Sequence, residues 1–320
     1  MKRTKLWIII ATALIIVGAA IFTAALSAAD WDFSKFQTTK YETNTHSLSD
    51  DFSSILINSD TADIEFIASR DGKCQVVCFE TQKLIHSVSV DDNALVIENR
   101  DERKWYEFLS FNIKTPKITV YLPRLEFSAL SINESTGDVK IPKDFRFENL
   151  EILVSTGDIS SAAVTTNTAK IKTDTGDITL RDTTAKTLDL WVSTGKVSLF
   201  DTVCEDNITI KVSTGKTDLQ NIHCKNLKTT GNTGDIILKS VIASEKFEIE
   251  RTTGDISFEG ADAAEIFIKT DTGDIKGSLL SEKIFITETD TGYIDVPKTI
   301  TGGRCEITTD TGNIKIAIVP

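Results

Sequence analysis

Methionine occurs once, histidine three times and proline five times in the 320 residues of this chain. Three histidines, His46, His86 and His223, leave little material for a zinc site or a histidine-based catalytic centre, and their positions read as solvated strand or loop sites. The five cysteines (Cys74, Cys78, Cys204, Cys224 and Cys305) are too few and too scattered for a disulfide framework, and no CxxC is present. No GxSxG, Walker loop, GxGxxG or HExxH occurs. Excess positive charge is also missing: 35 Lys+Arg stand against 47 Asp+Glu, a net charge of −12. That balance excludes nucleic acid as a partner, because phosphate binding needs a basic face. Hydrophobic residues at 40% exclude wholesale disorder and a multi-span membrane protein.

One long hydrophobic run is present. Residues 6–29, from Leu6 to Ala29, carry no charge. As a helix they reach about 36 Å, enough to cross a hydrocarbon layer of about 30 Å. Lys2, Arg3 and Lys5 precede the run, and Asp30 and Asp32 follow it. The positive-inside bias places residues 1–5 in the cytoplasm and the body outside. Ser27 and Ala29 have the size and spacing of a signal-peptidase site, but the run is longer than a usual signal core, so an uncleaved single-pass membrane anchor is expected. Residues 30–42 read as a linker.

The dominant signal is a repeat. Thr-Gly recurs ten times, with glycines at Gly137, Gly157, Gly176, Gly195, Gly215, Gly234, Gly254, Gly273, Gly292 and Gly312, always 19 or 20 residues apart. A fixed period near twenty signals a solenoid. Around each Thr-Gly, apolar residues alternate with polar ones at strand period, as in Ile171, Ile178 and Leu180. Each unit therefore reads as strand, tight turn, strand. Glycine supplies positive φ in the turn, and the preceding Ser or Asp accepts a backbone N–H. One such unit cannot bury its apolar face alone, whereas stacking at about 4.8 Å pairs every strand above and below. The expected fold is all-β: a parallel β-solenoid (β-helix) of about ten rungs over residues 126–320, some 48 Å long at that spacing.

Residues 43–125 read as a β-rich cap with degenerate first rungs. Asp60-Thr61-Ala62-Asp63 resembles the repeated turn, with Ala62 in the glycine position. Strands are expected at 75–79, 86–90, 94–98 and 117–122, with a hairpin turn at Asp91-Asp92-Asn93. Residues 99–115, with Trp105, Tyr106 and Phe108, read as an irregular excursion.

The segment Ile118-Thr119-Val120-Tyr121-Leu122-Pro123, then Ser135-Thr136-Gly137-Asp138-Val139, then the run of Ser/Asp-Thr-Gly-Asp turns resembles the bacterial "putative adhesin" family. That family is a β-strand-repeat domain of unknown function in membrane-anchored Gram-positive surface proteins. The resemblance covers residues ~50–320 and implies a β-solenoid at the cell surface, with no catalytic residues to carry over. Lys196, Lys216, Tyr293 and Asn313 depart from the usual Asp after the glycine.

Three constellations bear on chemistry. Asp-Thr-Gly at Asp174, Asp271, Asp290 and Asp310 is the spelling used by aspartic proteases, but here Ser replaces Asp freely within one repeated turn. The acidic columns offer weak Ca2+ candidates, Asp174 with Asp177, and Asp271, Asp274 and Asp290. A solvated turn edge explains them more simply, so no cofactor is expected. Cys204 and Cys224 each lie nine residues after their glycine and share a column on adjacent rungs, within disulfide reach; two stacked small apolar side chains explain the pair equally well. The expected role is non-catalytic: a binding, adhesion or envelope scaffold module with a protein or cell-wall polymer as partner. The alternatives are a polysaccharide-active β-helix enzyme, or an envelope-stress component signalling through a membrane partner.

Overall fold

The computed structural model describes residues 2–28, 30–31, 40–101 and 114–319. Most of the expected linker and excursion, including Trp105, Tyr106 and Phe108, lies outside them. The N-terminal run is one helix, Lys2–Ala28, whose segment Lys5–Ala28 is long and apolar enough to span a membrane. Everything described from Tyr41 onward is strand and turn, and all the strands belong to one hydrogen-bonded system.

The body is a parallel β-solenoid. Each rung places one strand before the Thr-Gly turn and one after it, and equivalent residues of neighbouring rungs pair in register. Ile152 lies beside Ile132 on one side and Ile171 on the other, and Ile159 lies between Val139 and Ile178. Period-two alternation sends these residues inward, where Ile132, Ile152, Ile178, Ile236 and Ile256 are fully buried. The turns stack as well. Gly176 donates its N–H to Thr194 O at 3.0 Å, and Gly195 donates to Thr214 O at 3.0 Å. A Cβ on Gly195 would stand 2.0 Å from the carbonyl oxygen of Gly176, and its φ is +143°. Glycine is thus required twice over, by the backbone conformation and by the closeness of the rung below.

A second corner, unforeseen from the sequence, lies six residues after these glycines. Asp182, Asp201, Asn221, Ser240 and Gly260 all have φ between 50° and 60°. Asp and Asn tolerate this left-handed conformation better than most residues, and Asn221 Nδ2 donates to Asp201 Oδ1 at 2.7 Å across the rungs.

The core accepts two large residues where its neighbour is glycine. Phe258 stands beside Gly277, and Arg251 beside Gly231. The buried Arg251 guanidinium donates to Val212 O at 2.7 Å and Thr217 Oγ1 at 3.1 Å, and desolvation lowers its pKa. A Cβ on Gly231 would collide with it.

Rung order departs from chain order at both ends, which corrects the expectation that successive repeats are neighbours throughout. At the C-terminal end, Gly303–Thr311 lies between the strand containing Ile268 and Lys283–Thr291, so Lys283–Thr291 is the outermost strand of that column among the described residues. The inserted rung has the more apolar inward set, Cys305, Ile307, Ile314 and Ile316, all buried. The displaced strand carries Thr287 and Thr289 at inward positions and tolerates the edge. At the N-terminal end, Ser54–Thr61 is inserted between Ala94–Asp101 and Glu126–Thr136. Ala62 occupies the glycine position of that rung and donates to Thr136 O at 3.1 Å.

Beyond the Ala94–Asp101 rung the pairing turns antiparallel. Leu84–Asp91 pairs with Ala94–Asp101, Cys74–Thr81 with Lys117–Leu122, and Tyr41–Leu48 with Cys74–Thr81. Asp92 and Asn93, at φ 45° and 63°, make the expected hairpin turn.

Candidate functional site

The acidic column following the glycines serves the turns. Asp138 Oδ1 accepts the N–H of Asp158 at 2.8 Å, Asp158 Oδ1 that of Asp177 at 2.8 Å, and Asp177 Oδ1 that of Lys196 at 2.7 Å. Asp274 Oδ1 accepts from both the backbone N–H and the Nδ2 of Asn313, at 2.8 and 3.1 Å. Each carboxylate therefore satisfies a donor in the rung above, which is why Asp dominates the position. Asp174 contacts Lys172 Nζ at 3.1 Å and Ser193 Oγ at 3.4 Å. The sequence grouping of Asp271 and Asp274 with Asp290 is not reproduced. Because of the exchanged rungs, the strand carrying Asp310 separates Asp271 from Asp290.

Cys204 and Cys224 occupy the same column on adjacent rungs, and both are buried free thiols. Their column continues as Ala185 below and Ala243 above. Cys204 Sγ lies 3.1 Å from Lys186 O. Burial pushes the thiol of Cys204 up to about 11 and that of Cys224 up to about 12.

The outer faces carry aromatic–cation stacks. Trp191 is 43% exposed and sits between Lys172 and Lys211, whose Nζ atoms lie 4.7 and 4.9 Å from its ring. These three residues share one cross-strand row, since Trp191 pairs with Lys172 on one side and Lys211 on the other. Phe267 is flanked by Lys246 and Arg304 at 4.6 and 5.5 Å, here from diagonal positions, since its in-register partners are Glu248 and Glu306. Among the described residues the recesses are shallow; one of about 630 Å³ lies around Asp262 and Lys283, whose Oδ1 and Nζ are 2.6 Å apart.

The remaining cluster is inside the N-terminal end, and sequence reasoning missed it. His86 is buried, not solvated, at 4% exposure. Its Nδ1 lies 2.7 Å from Glu80 Oε2 and its Nε2 lies 3.1 Å from Ser59 Oγ. Glu80 Oε2 also accepts the His86 backbone N–H at 2.7 Å, and Oε1 accepts from Asn44 Nδ2 at 2.7 Å. Burial alone would raise the Glu80 pKa, but the hydrogen bonds from His86 and Asn44 outweigh it and hold the carboxyl below its ordinary value. Glu134 neighbours Ser59 in register and is 1% exposed. Its Oε1 accepts from the backbone N–H groups of Ala62 and Thr136, while Oε2 has no partner. Burial pushes Glu134 up to about 7, against those hydrogen bonds. Ser59, His86 and Glu80 thus have the order of a nucleophile, base and orienting acid, but Ser59 lies within a paired strand with its side chain buried.

Stacked Thr-Gly turns and an in-register Asp ladder define a parallel β-solenoid of rungs of 19 or 20 residues. The model of the Toastrack DUF4097 family matches residues 52–208 and again 203–319, and the chain belongs to that family. A search of curated proteins found no match. Among solved structures, a "putative lipid binding protein" from Parabacteroides distasonis ATCC 8503 shares the fold at TM-score 0.50 and 14% identity, over 88% of this chain and 98% of its own. A "putative adhesin" from Bacteroides fragilis NCTC 9343 gives TM-score 0.44 and 17% identity, over 87% of this chain and 97% of its own. Another from Parabacteroides distasonis ATCC 8503 gives 0.48 and 10%, over 85% and 98%.

Proposed function

We propose that this chain is a membrane-anchored extracytoplasmic binding module, without catalysis of its own, whose flat faces engage a cell-wall polymer or a surface protein. In this reading residues 1–5 are cytoplasmic, 6–29 span the membrane, 30–42 link, 43–125 cap the stack and 126–320 present the repeats. The supporting observation is the exposed Trp191 held between Lys172 and Lys211 in one cross-strand row. An indole braced by two cations offers an apolar platform beside positive charge, which suits a sugar ring carrying phosphate or carboxylate. Recognition would be spread over several rungs, as solenoid faces favour.

The test is binding of the full chain in nanodiscs to isolated wall polymer, with plain vesicles as a second probe because one fold relative is named for lipid binding. Saturable polymer binding that falls at least about tenfold on Trp191→Ala supports the reading. Binding unaffected by that substitution contradicts this face as the site. Release of glycan fragments by the purified protein would overturn the non-catalytic assignment.

A further inference from the structure

The buried end of the stack holds the three donor types that a borderline-soft metal prefers. Cys78 Sγ, a Glu80 carboxylate oxygen and a His86 ring nitrogen all lie within 4.8 Å of one another, and all three residues are buried. They come from one antiparallel hairpin, Cys74–Thr81 and Leu84–Asp91, closed at Thr81 and Leu84. Cys78 and Glu80 are two residues apart, so strand period puts both on the inner face. Thiolate with imidazole and carboxylate suits Zn2+ rather than Ca2+ or Mg2+, which take oxygen donors. The Asp columns offer carboxylate oxygen alone, and their Oδ1 atoms serve backbone N–H groups of the next rung.

A second observation comes from Glu134. Its carboxyl is buried beside Ser59, its neighbour in register, whose hydroxyl lies 3.1 Å from His86 Nε2. With a metal on Nδ1, Nε2 is the nitrogen left to hold the ring through Ser59, and Ser59 in turn faces Glu134. Metal-bound histidines use their second nitrogen in this way to orient the ring.

We propose that Cys78, Glu80 and His86 form a binding site for a divalent metal of Zn2+ type, with Ser59 and Glu134 as its outer hydrogen-bonded support. Glu80 Oε2 and His86 Nδ1, now 2.7 Å apart, separate to about 3.3 Å around a tetrahedral ion. The Cys78 thiol loses its proton to solvent on binding, because the thiolate is the form that coordinates. About one proton leaves per metal. Along most of its length Leu84–Asp91 pairs only with Ala94–Asp101 among the described residues, and residues 82–83 of the hairpin turn are exposed, so the ion reaches the site by local opening there. The site does not depend on the adhesive reading.

Chelator-stripped full-length protein in detergent is titrated with Co2+ and then Zn2+. The expected result is a thiolate-to-cobalt charge-transfer band saturating at one equivalent, displaced by Zn2+, with a rise in Tm. Cys78→Ser abolishes the band, the buried-thiol control Cys305→Ser keeps it, and Ser59→Ala weakens the affinity roughly ten- to hundredfold. Proton release measured on the unmodified chain keeps the test decisive should Cys78→Ser fail to fold. No band at one equivalent, or a band that survives in folded Cys78→Ser, overturns the proposal. A Tm that follows pH but is indifferent to Zn2+ also overturns it, and assigns the network to a proton.

Discussion

At the N-terminal end of the stack, the last parallel rung is flanked by the antiparallel strands Leu84–Asp91 and Cys74–Thr81. At the C-terminal end, Lys283–Thr291 and Ile294–Asp295 have a neighbour on one side only among the described residues. Ile294 belongs to the same inward column as the fully buried Ile236, yet it is 43% exposed. Reversing strand direction closes one end but breaks the repeat, and polar residues then meet inside: Ser59, Glu80, His86 and Glu134 are all buried. Keeping the repeat preserves an apolar column and leaves an edge, softened by Lys283, Glu288 and Asp290 on the outermost strand. The solenoid therefore has one chemically elaborate end and one plain one, joined by a ladder that treats every rung alike.

The largest expected effect lies in that ladder. Gly195→Ala forces a Cβ to within 2.0 Å of Gly176 O at φ +143° and is expected to cost about 4 kcal/mol by urea denaturation. Gly72→Ala, at φ +72° with nothing within 4 Å, costs about 1 kcal/mol. Equal losses would show that the turns do not touch.

The next contrast is between buried and edge positions of one column. Ile236→Ala is expected to cost about 3 kcal/mol, and Ile294→Ala less than about 1 kcal/mol. A large loss at Ile294 would mean that something covers the plain end.

The elaborate end adds a pH dependence. Glu134 has its folded pKa raised to about 7, above its ordinary 4.5. Its stabilising contribution is complete below about pH 4.5 and is lost as pH rises through about 7, a swing of about 2–3 kcal/mol. Glu134→Gln removes that slope, measured as the difference in Tm between variant and parent from pH 4.5 to 8. A difference that stays flat with pH would place Glu134 in contact with solvent.

The smallest effects test whether the Asp ladder is the same at both ends. Asp63 accepts the Asp138 N–H at 3.0 Å, and Asn313 accepts the Tyr293 N–H at 3.1 Å. Asp63→Ala is expected to cost about 1 kcal/mol. Asn313→Asp keeps the acceptor while removing the Nδ2 bond to Asp274, so beside Asn313→Ala it separates the acceptor's share, expected to be about the same. A marked inequality would show that the ladder weakens toward one end.

The ladder was legible because a twenty-residue spacing of Thr-Gly imposes one geometry, and the alternation around it names the inward residues. The second corner carried a signal too: Asp182, Asp201, Asn221, Ser240 and Gly260 keep the same period, but four residue types share the role, so no single letter repeats. The exchanged rungs were illegible, because in-register parallel pairing looks the same in sequence whichever rung is the neighbour. The His86 cluster was hidden for another reason. Ser59, Glu80, His86 and Glu134 lie on four strands, and only the antiparallel turn at Thr81–Leu84 and the inserted first rung bring them together.

The account rests on rungs that stack along one axis with the last two exchanged. Thr272, Thr291 and Thr311 are exposed and share one column, with Thr311 paired to both of the others. Paired cysteines one rung apart lie about 5 Å apart, within bonding range. Oxidation of T272C/T311C and of T291C/T311C is predicted to form a disulfide, and oxidation of T272C/T291C is predicted to leave free thiols. A bond in T272C/T291C with none in T272C/T311C would contradict the exchange, and bonds in none of the three would contradict the stack itself.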